Sequence, residues 1–244
     1  MISFIIPAKN EEGYIGGCLH SIMTQDLPEG FEIVVVDNNS ADHTRETVLA
    51  VCPKAIIFKE ERCGTSAARQ RGFLEAKGEL LIFLDADVRL PDNLWLKRVV
   101  KKVSRPKAVA LSSHYRYYGL PFYKSILQLV GNFIFVYPWI FFVSKLLRYS
   151  THMIGGMMVI KKSALIKAGG FDISVEFFGD EALIAKKLYS VGHVHVSPKL
   201  WVWTSARRFK EQGMLKTVFS YVFNYFWVFF SGKPYHSSAY KQYR

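Results

Sequence analysis

The chain has 244 residues, half of them apolar, enough to bury one sizeable core, and a second domain is not expected at this length. Thirty-two Lys and Arg against twenty Asp and Glu leave a formal charge of +12, so the partner to expect is anionic: a phosphorylated small molecule, an acidic lipid surface or nucleic acid. Cys18, Cys52 and Cys63 are odd in number and have no C-x-x-C spacing, which suggests neither a disulfide framework nor a zinc site and fits reduced thiols in a cytosolic compartment.

The opening MISFIIPAKNEEGY lacks the basic start and long apolar stretch of a secretory signal, so ISFIIPA reads as a first strand and the folded part is expected on the cytoplasmic side. NEEGYIGGCLHSIMTQ follows, acidic at its start and apolar at helical spacing. FEIVVVDNNS is a second continuous apolar run, ending in Asp, and ADHTRETVLAV after it is helical, with Ser40 or Asp42 as the cap. AIIFKE and ELLIFLDAD repeat the theme, with GTSAARQRGFLEAKG between them. Alternating strands and helices predict a largely parallel sheet with helices on both faces, and continuous apolar runs mark strands covered on both sides.

In such sheets ligands bind beyond the carboxyl ends of the strands. Residues 7–12, 37–40 and 85–87 all follow strand ends and converge on that edge. Isolated buried carboxylates cost several kcal/mol unless paired or bound to a cation, so Asp85 and Asp87 are poorly explained as core residues, while Asp37 is also suited to capping the next helix. Gly13, Gly16 and Gly17 do not make G-x-G-x-x-G, and no Walker-type G-x-x-x-x-G-K-[ST] occurs, which disfavours a Rossmann dehydrogenase and a P-loop enzyme.

From 125 to 144 no residue is charged, and the length reaches the ~20 residues of a bilayer span. A single crossing would put the acidic residues at 85–87 and those at 180–181 on opposite sides of the membrane and divide any site they share. Gln128, Gly131, Asn132 and Pro138 also interrupt the run, which reads as a helix pair lying in or dipping into the interface, with a buried helix pair as the alternative. Residues 217–230, TVFSYVFNYFWVFF, are aromatic and too short for a comfortable span. With the basic surplus, these stretches suggest a peripheral or monotopic protein on the anionic cytoplasmic face of a membrane; self-association into a homo-oligomer through the same aromatics is the alternative. Nucleic acid has only the charge in its favour, with no recognised motif.

IIPAKNEE, VVVDNNSADHT, SAARQRG, FLDADV, GGFD and FFGDEALIAKKL occur in the order and approximate spacing of the family 2 glycosyltransferases, which the chain resembles over roughly residues 1–210 apart from a divergent block near 115–150. The resemblance implies a GT-A fold, a Rossmann-like α/β sheet, as one domain over 1–210 that includes the apolar insertion at 120–148, with an aromatic helix and tail at 211–244. It also implies an inverting enzyme using a UDP- or GDP-linked nucleotide sugar with Mn²⁺ or Mg²⁺, and a lipid-linked or membrane-proximal acceptor.

By the same resemblance, Asp87 ligates the metal, Asp85 sits near the ribose, and Asp37 reads the nucleobase edge. Pro7, Asn10, Glu11 and Asn39 shape the donor pocket, and Arg69 and Gly72 occupy an A-R-N-x-G segment in which Gln70 replaces Asn. The family's acidic pair matches Asp180 and Glu181 in swapped order, with Glu181 as the expected base and Asp180 second; acidic residues at a helix start also complement its dipole. Arg207 and Arg208, with Lys210, suit the diphosphate or an anionic acceptor, or else a solvated charge cluster. His193 and His195 alternate as on a strand, and His195 is a candidate for the metal shell against an ordinary structural role. Nucleotidyl transfer on a related sheet and a non-catalytic membrane-binding protein that kept the fold are the competing functions.

Overall fold

A computed structural model of the chain describes residues 1–27, 29–121, 123, 156–175 and 179–213, with 216, 217, 223, 227 and 231 beyond them. The apolar stretch at 125–144 and most of 217–230 lie outside the described residues. Among the described residues, seven strands form one sheet. Strands β1 (Ile2–Ala8), β2 (Phe31–Asp37), β3 (Ile56–Lys59) and β4 (Leu80–Leu84) run parallel, joined by helices α1 (Ile15–Met23), α2 (Thr44–Val51) and α3 (Thr65–Glu75). After α4 (Trp95–Val103) come β5 (Ala108–Tyr118), β6 (Met157–Lys161), α5 (Lys162–Lys167), α6 (Asp180–Tyr189), β7 (His193–Ser205) and the short α7 (Arg207–Gln212). The order across the sheet is β3-β2-β1-β4-β6-β5-β7, with β6 antiparallel to both β4 and β5 and β7 parallel to β5.

The strands read as continuous apolar runs because each side of the sheet has its own core. Phe4, Ile6 and Leu84 pack towards α1 and α4, while Ile5, Val36 and Phe83 pack towards α3, α5 and α6. Both layers exclude water, so successive strand residues gain from burial on opposite faces.

Chain order reverses at β1: β2 lies on one side and β4 on the other. Pairing of β1 with β4 stops at Ile5↔Phe83, whereas pairing with β2 continues to Ala8↔Asp37. Pro7, which has no N–H to donate, therefore sits past the last β1–β4 pair. The strand ends splay there into the crevice where open α/β sheets place ligands.

Helix α3 lies directly on β1 and β2 because Gly72 has no side chain. A methyl group there would overlap Ile5 Cγ2 and come within 3.2 Å of Val36 Cγ2, both on rigid strand backbone. Gly72→Ala is expected to lower the free energy of unfolding by about 1–3 kcal/mol through overpacking, measured by urea denaturation; an unchanged midpoint would mean that α3 moves freely.

Candidate active site

The loops after β1 and β2 are laced together at the crevice. Asn10 N–H donates to Ser40 Oγ (3.0 Å) and Ala41 N–H to Asn10 Oδ1 (2.7 Å), and Glu11 N–H donates to Thr44 Oγ1 (2.7 Å). Glu12 N–H donates to Asp42 Oδ2 (3.1 Å) and His43 N–H to Glu12 Oε2 (2.9 Å). Asn10 and Asn39 both adopt left-handed backbone, with φ of 52° and 61°, which asparagine tolerates better than most residues. Asp37 Oδ1 accepts the Ser40 N–H at 3.0 Å, so this carboxylate closes its own turn at the end of β2. Asn38, buried beside it, donates to the carbonyls of Glu60 (2.9 Å) and Arg62 (2.6 Å) and accepts from Gly64 N–H (3.0 Å), tying in the loop before α3.

Across the crevice, Arg69 of α3 is 2% exposed and joins two distant segments. One guanidinium nitrogen donates to Asp85 Oδ1 at 2.9 Å, and the other is ion-paired to Asp180 and lies 3.9 Å from Glu181 Oε1. Burial works against the Arg69 charge, but Asp180, Asp85 and Glu181 together hold it strongly. Gly179, left-handed at φ 93°, starts α6 so that Asp180 and Glu181 occupy its first turn, where the helix dipole favours negative charge. Their surroundings differ. Asp180 is 4% exposed and committed to Arg69, while Glu181 keeps 28% of its side chain exposed. Burial and the neighbouring Asp180 carboxylate push Glu181 up to about 8.

Asp87, two residues past Asp85, faces the end of β7. Arg207 Nη2 lies 3.4 Å from Asp87 Oδ2 and donates to Glu11 Oε1 at 2.6 Å, and its guanidinium stacks 4.4 Å over the Tyr14 ring. Thr204 Oγ1 lies 3.4 Å from Asp87 Oδ1, and the Tyr118 hydroxyl donates to the Asp87 carbonyl at 2.9 Å. Arg89 exchanges backbone hydrogen bonds with Trp203 (2.8 and 2.9 Å), fixing the turn after Asp87 against β7. Arg208 follows on α7, half-buried.

Three expectations change. Glu11 is fully buried and holds Arg207, so it supports the pocket from behind rather than lining it. Arg69 is enclosed by carboxylates and can bear on a donor only by positioning Asp85. His195 pairs with Leu111 near the start of β7, whereas Thr204, paired with Tyr117 at its far end, touches Asp87; six residues of extended β5 separate those partners, roughly 20 Å. That separation keeps His195 out of any metal shell at Asp87. Tyr14, Tyr118 and Thr204 lie at the crevice but carry no sequence signal, because aromatic and hydroxyl residues on strands and turns are common; Asn38 lies within the VVVDNNSADHT motif without a role of its own there.

Among the described residues no three His, Cys, Asp or Glu side chains cluster as a ready-made metal cage. Mg²⁺ and Mn²⁺ on nucleotides need no such cage, since one or two carboxylates act together with the phosphates. Asp87 fits that arrangement: a cationic group, Arg207, already lies against one of its oxygens. Arg69→Met is expected to cost about 3–5 kcal/mol in chemical denaturation by leaving buried carboxylates unpaired, and adding Asp180→Asn should recover part of the loss.

Comparison with known proteins follows the same lines. The sequence profile described as Glycosyl transferase family 2 matches residues 3–169. Glycosyltransferase AglE of Haloferax volcanii is 37% identical over 108 residues, 42% of this chain and 35% of that protein. The dolichol-phosphate mannosyltransferase of Pyrococcus furiosus is 29% identical over 134 residues, 52% of this chain and 38% of that protein. This chain thus spans little more than a third of the length of these curated relatives. The mannosyltransferase PcManGT from Pyrobaculum calidifontis, solved with GDP-Man and Mn²⁺, superposes with a TM-score of 0.63 at 24% identity, covering 83% of this chain and 56% of that one. The sheet order, the carboxylates at the switch point and the profile match over most of the chain agree: this chain belongs to glycosyl transferase family 2.

Proposed function

We propose that the chain carries out inverting transfer of a sugar from a UDP- or GDP-linked donor to a lipid-linked or membrane-proximal acceptor, with Mn²⁺ or Mg²⁺ held at Asp87. The observation that carries this reading is an anionic rim in a basic protein. The carboxyl groups of Glu11, Asp85, Asp87, Asp180 and Glu181 gather at the crevice around the guanidiniums of Arg69 and Arg207. A diphosphate would be repelled from such a rim unless a cation stood between. A divalent ion bound there would supply neutralisation of the charge that develops on the leaving diphosphate. PcManGT, which shares the fold, was solved with GDP-Man and Mn²⁺, and this supports the same pairing here.

The residues around the ion site have separable roles in this reading. The laced loops of Asn10, Asp37 and Asn39 would hold the nucleoside against the end of β1 beside Pro7. Arg207, and Arg208 after it, would turn from the carboxylates to the diphosphate, for which a planar guanidinium has matching donors. Asp180 positions Arg69. Glu181, partly exposed and with raised proton affinity, would accept a proton from an acceptor hydroxyl. The relative from Pyrococcus furiosus is a dolichol-phosphate mannosyltransferase, which favours a polyprenyl-phosphate acceptor; such a phosphate is already ionised near neutrality and would need no base, leaving Glu181 to orient it. Exposed Phe223 and Trp227, stacked at 6.1 Å, fit a peripheral contact with the cytoplasmic face of an anionic membrane, and among the described residues no helix is long and apolar enough to cross one.

Asp87→Ala is expected to abolish the Mn²⁺ dependence of UDP or GDP binding in calorimetry; retained dependence removes Asp87 from the ion site. Glu181→Gln should bind donor normally and lose transfer by roughly 10²- to 10⁴-fold with a hydroxyl acceptor. Because Glu181 must be deprotonated to accept a proton, the wild-type rate should rise with pH and level off above about 8. A flat profile, with transfer retained in Glu181→Gln, identifies an ionised phosphate as the acceptor.

A further inference from the structure

Tyr115 stands on β5, past Ser112↔Met158, the last residue pair that β5 makes with β6. Among the described residues its phenol oxygen is buried without a hydrogen-bond partner, an uncommon and costly condition for a hydroxyl. The position is constructed rather than accidental. Asp85 N–H donates to the Gly156 carbonyl at 3.0 Å, extending the β4–β6 ladder by one residue and bringing Gly156 beside the carboxylate. A methyl group on Gly156 would overlap the Tyr115 phenol oxygen and lie 3.3 Å from Asp85 Oδ2, so both oxygens flank one point that only glycine leaves open. The ring is held edge-on to Tyr117 (6.3 Å between centroids), and Tyr117 edge-on to Phe209 of α7 (4.9 Å). Burial and the nearby Asp85 and Glu181 carboxylates keep the phenol protonated, hence a donor.

A carboxylate only accepts hydrogen bonds, and a protonated phenol has one to donate. The group complementary to the two together both donates and accepts: an alcohol. We propose that Tyr115 reads a hydroxyl of the transferred sugar, donating to an oxygen whose own proton goes to Asp85. The proximity of Glu181, at the end of the cleft where transfer would occur, assigns that hydroxyl to the sugar rather than to the nucleoside. This inference rests on the nucleotide-sugar reading above.

The test is calorimetry in Mn²⁺ on wild type and Tyr115→Phe, with UDP, GDP, UDP-GlcNAc and GDP-Man, alongside urea denaturation. The variant should unfold at the same or a higher urea concentration, because the group it removes has no partner to lose. Affinity for UDP or GDP should stay within about twofold, and the sugar nucleotide that wild type binds should weaken roughly fivefold to tenfold, the worth of one neutral hydrogen bond. Unchanged affinity for the sugar nucleotide overturns the role of Tyr115 alone. So does an equal loss for nucleoside diphosphate and sugar nucleotide, which would place the phenol against the nucleoside. Failure of wild type to bind any of the four removes the donor reading first and this inference with it.

Discussion

The buried guanidinium of Arg69 is the interaction on which the site depends. A cation in an apolar surround survives only if carboxylates meet it with good geometry, and here they come from two places: Asp85 at the end of β4 and the Asp180–Glu181 pair at the start of α6. The strand belongs to the parallel first half of the sheet and the helix to the half that follows it. Arg69 therefore does more than satisfy its neighbours. It sets the spacing between the residues proposed to face the donor and the residue proposed to face the acceptor, and each partner it fixes loses the freedom to collapse onto another.

Charge at the rim then separates three carboxylates chemically although they lie close together. Asp180 is saturated by Arg69 and by the dipole of α6, and Asp87 meets the second cation, Arg207, at a longer distance. Glu181 has the weakest hold on a positive partner and sits against Asp180, so its proton is bound more tightly than that of an ordinary glutamate. Unequal surroundings give like groups unequal chemistry, which suits the separate roles proposed for them. Arg207, shared between Glu11 and Asp87 and stacked on Tyr14, keeps the anionic rim from being wholly uncompensated before any ligand arrives.

The first half of the fold was legible because its signals are local. Four continuous apolar runs, each followed by a polar turn and a helical pattern, leave little besides a helix-covered parallel sheet, and the carboxylates at the strand ends had nowhere to go but the ligand edge. What the pattern did not announce was β6 running antiparallel between β4 and β5, since a strand buried on both faces reads alike in either direction. His195 marks the same limit: alternation places it on a face of β7 but not at an end of it, and the end decides whether it can meet Asp87. Tyr115 looked like any strand aromatic, because the absence of a hydrogen-bond partner is a property of its surroundings.

By itself the sequence determined the class of sheet, the family and the chemical types at the rim, because strand periodicity, turn residues and carboxylates at strand ends act within a few residues of one another. Only the tertiary structure decided that Arg69 is a clamp, that Glu11 works from behind, that Asp180 is spent while Glu181 faces the cleft, and that His195 stands apart. Those distinctions depend on burial and on partners as far apart as 196 positions in the chain, and burial is created by packing rather than by any single segment.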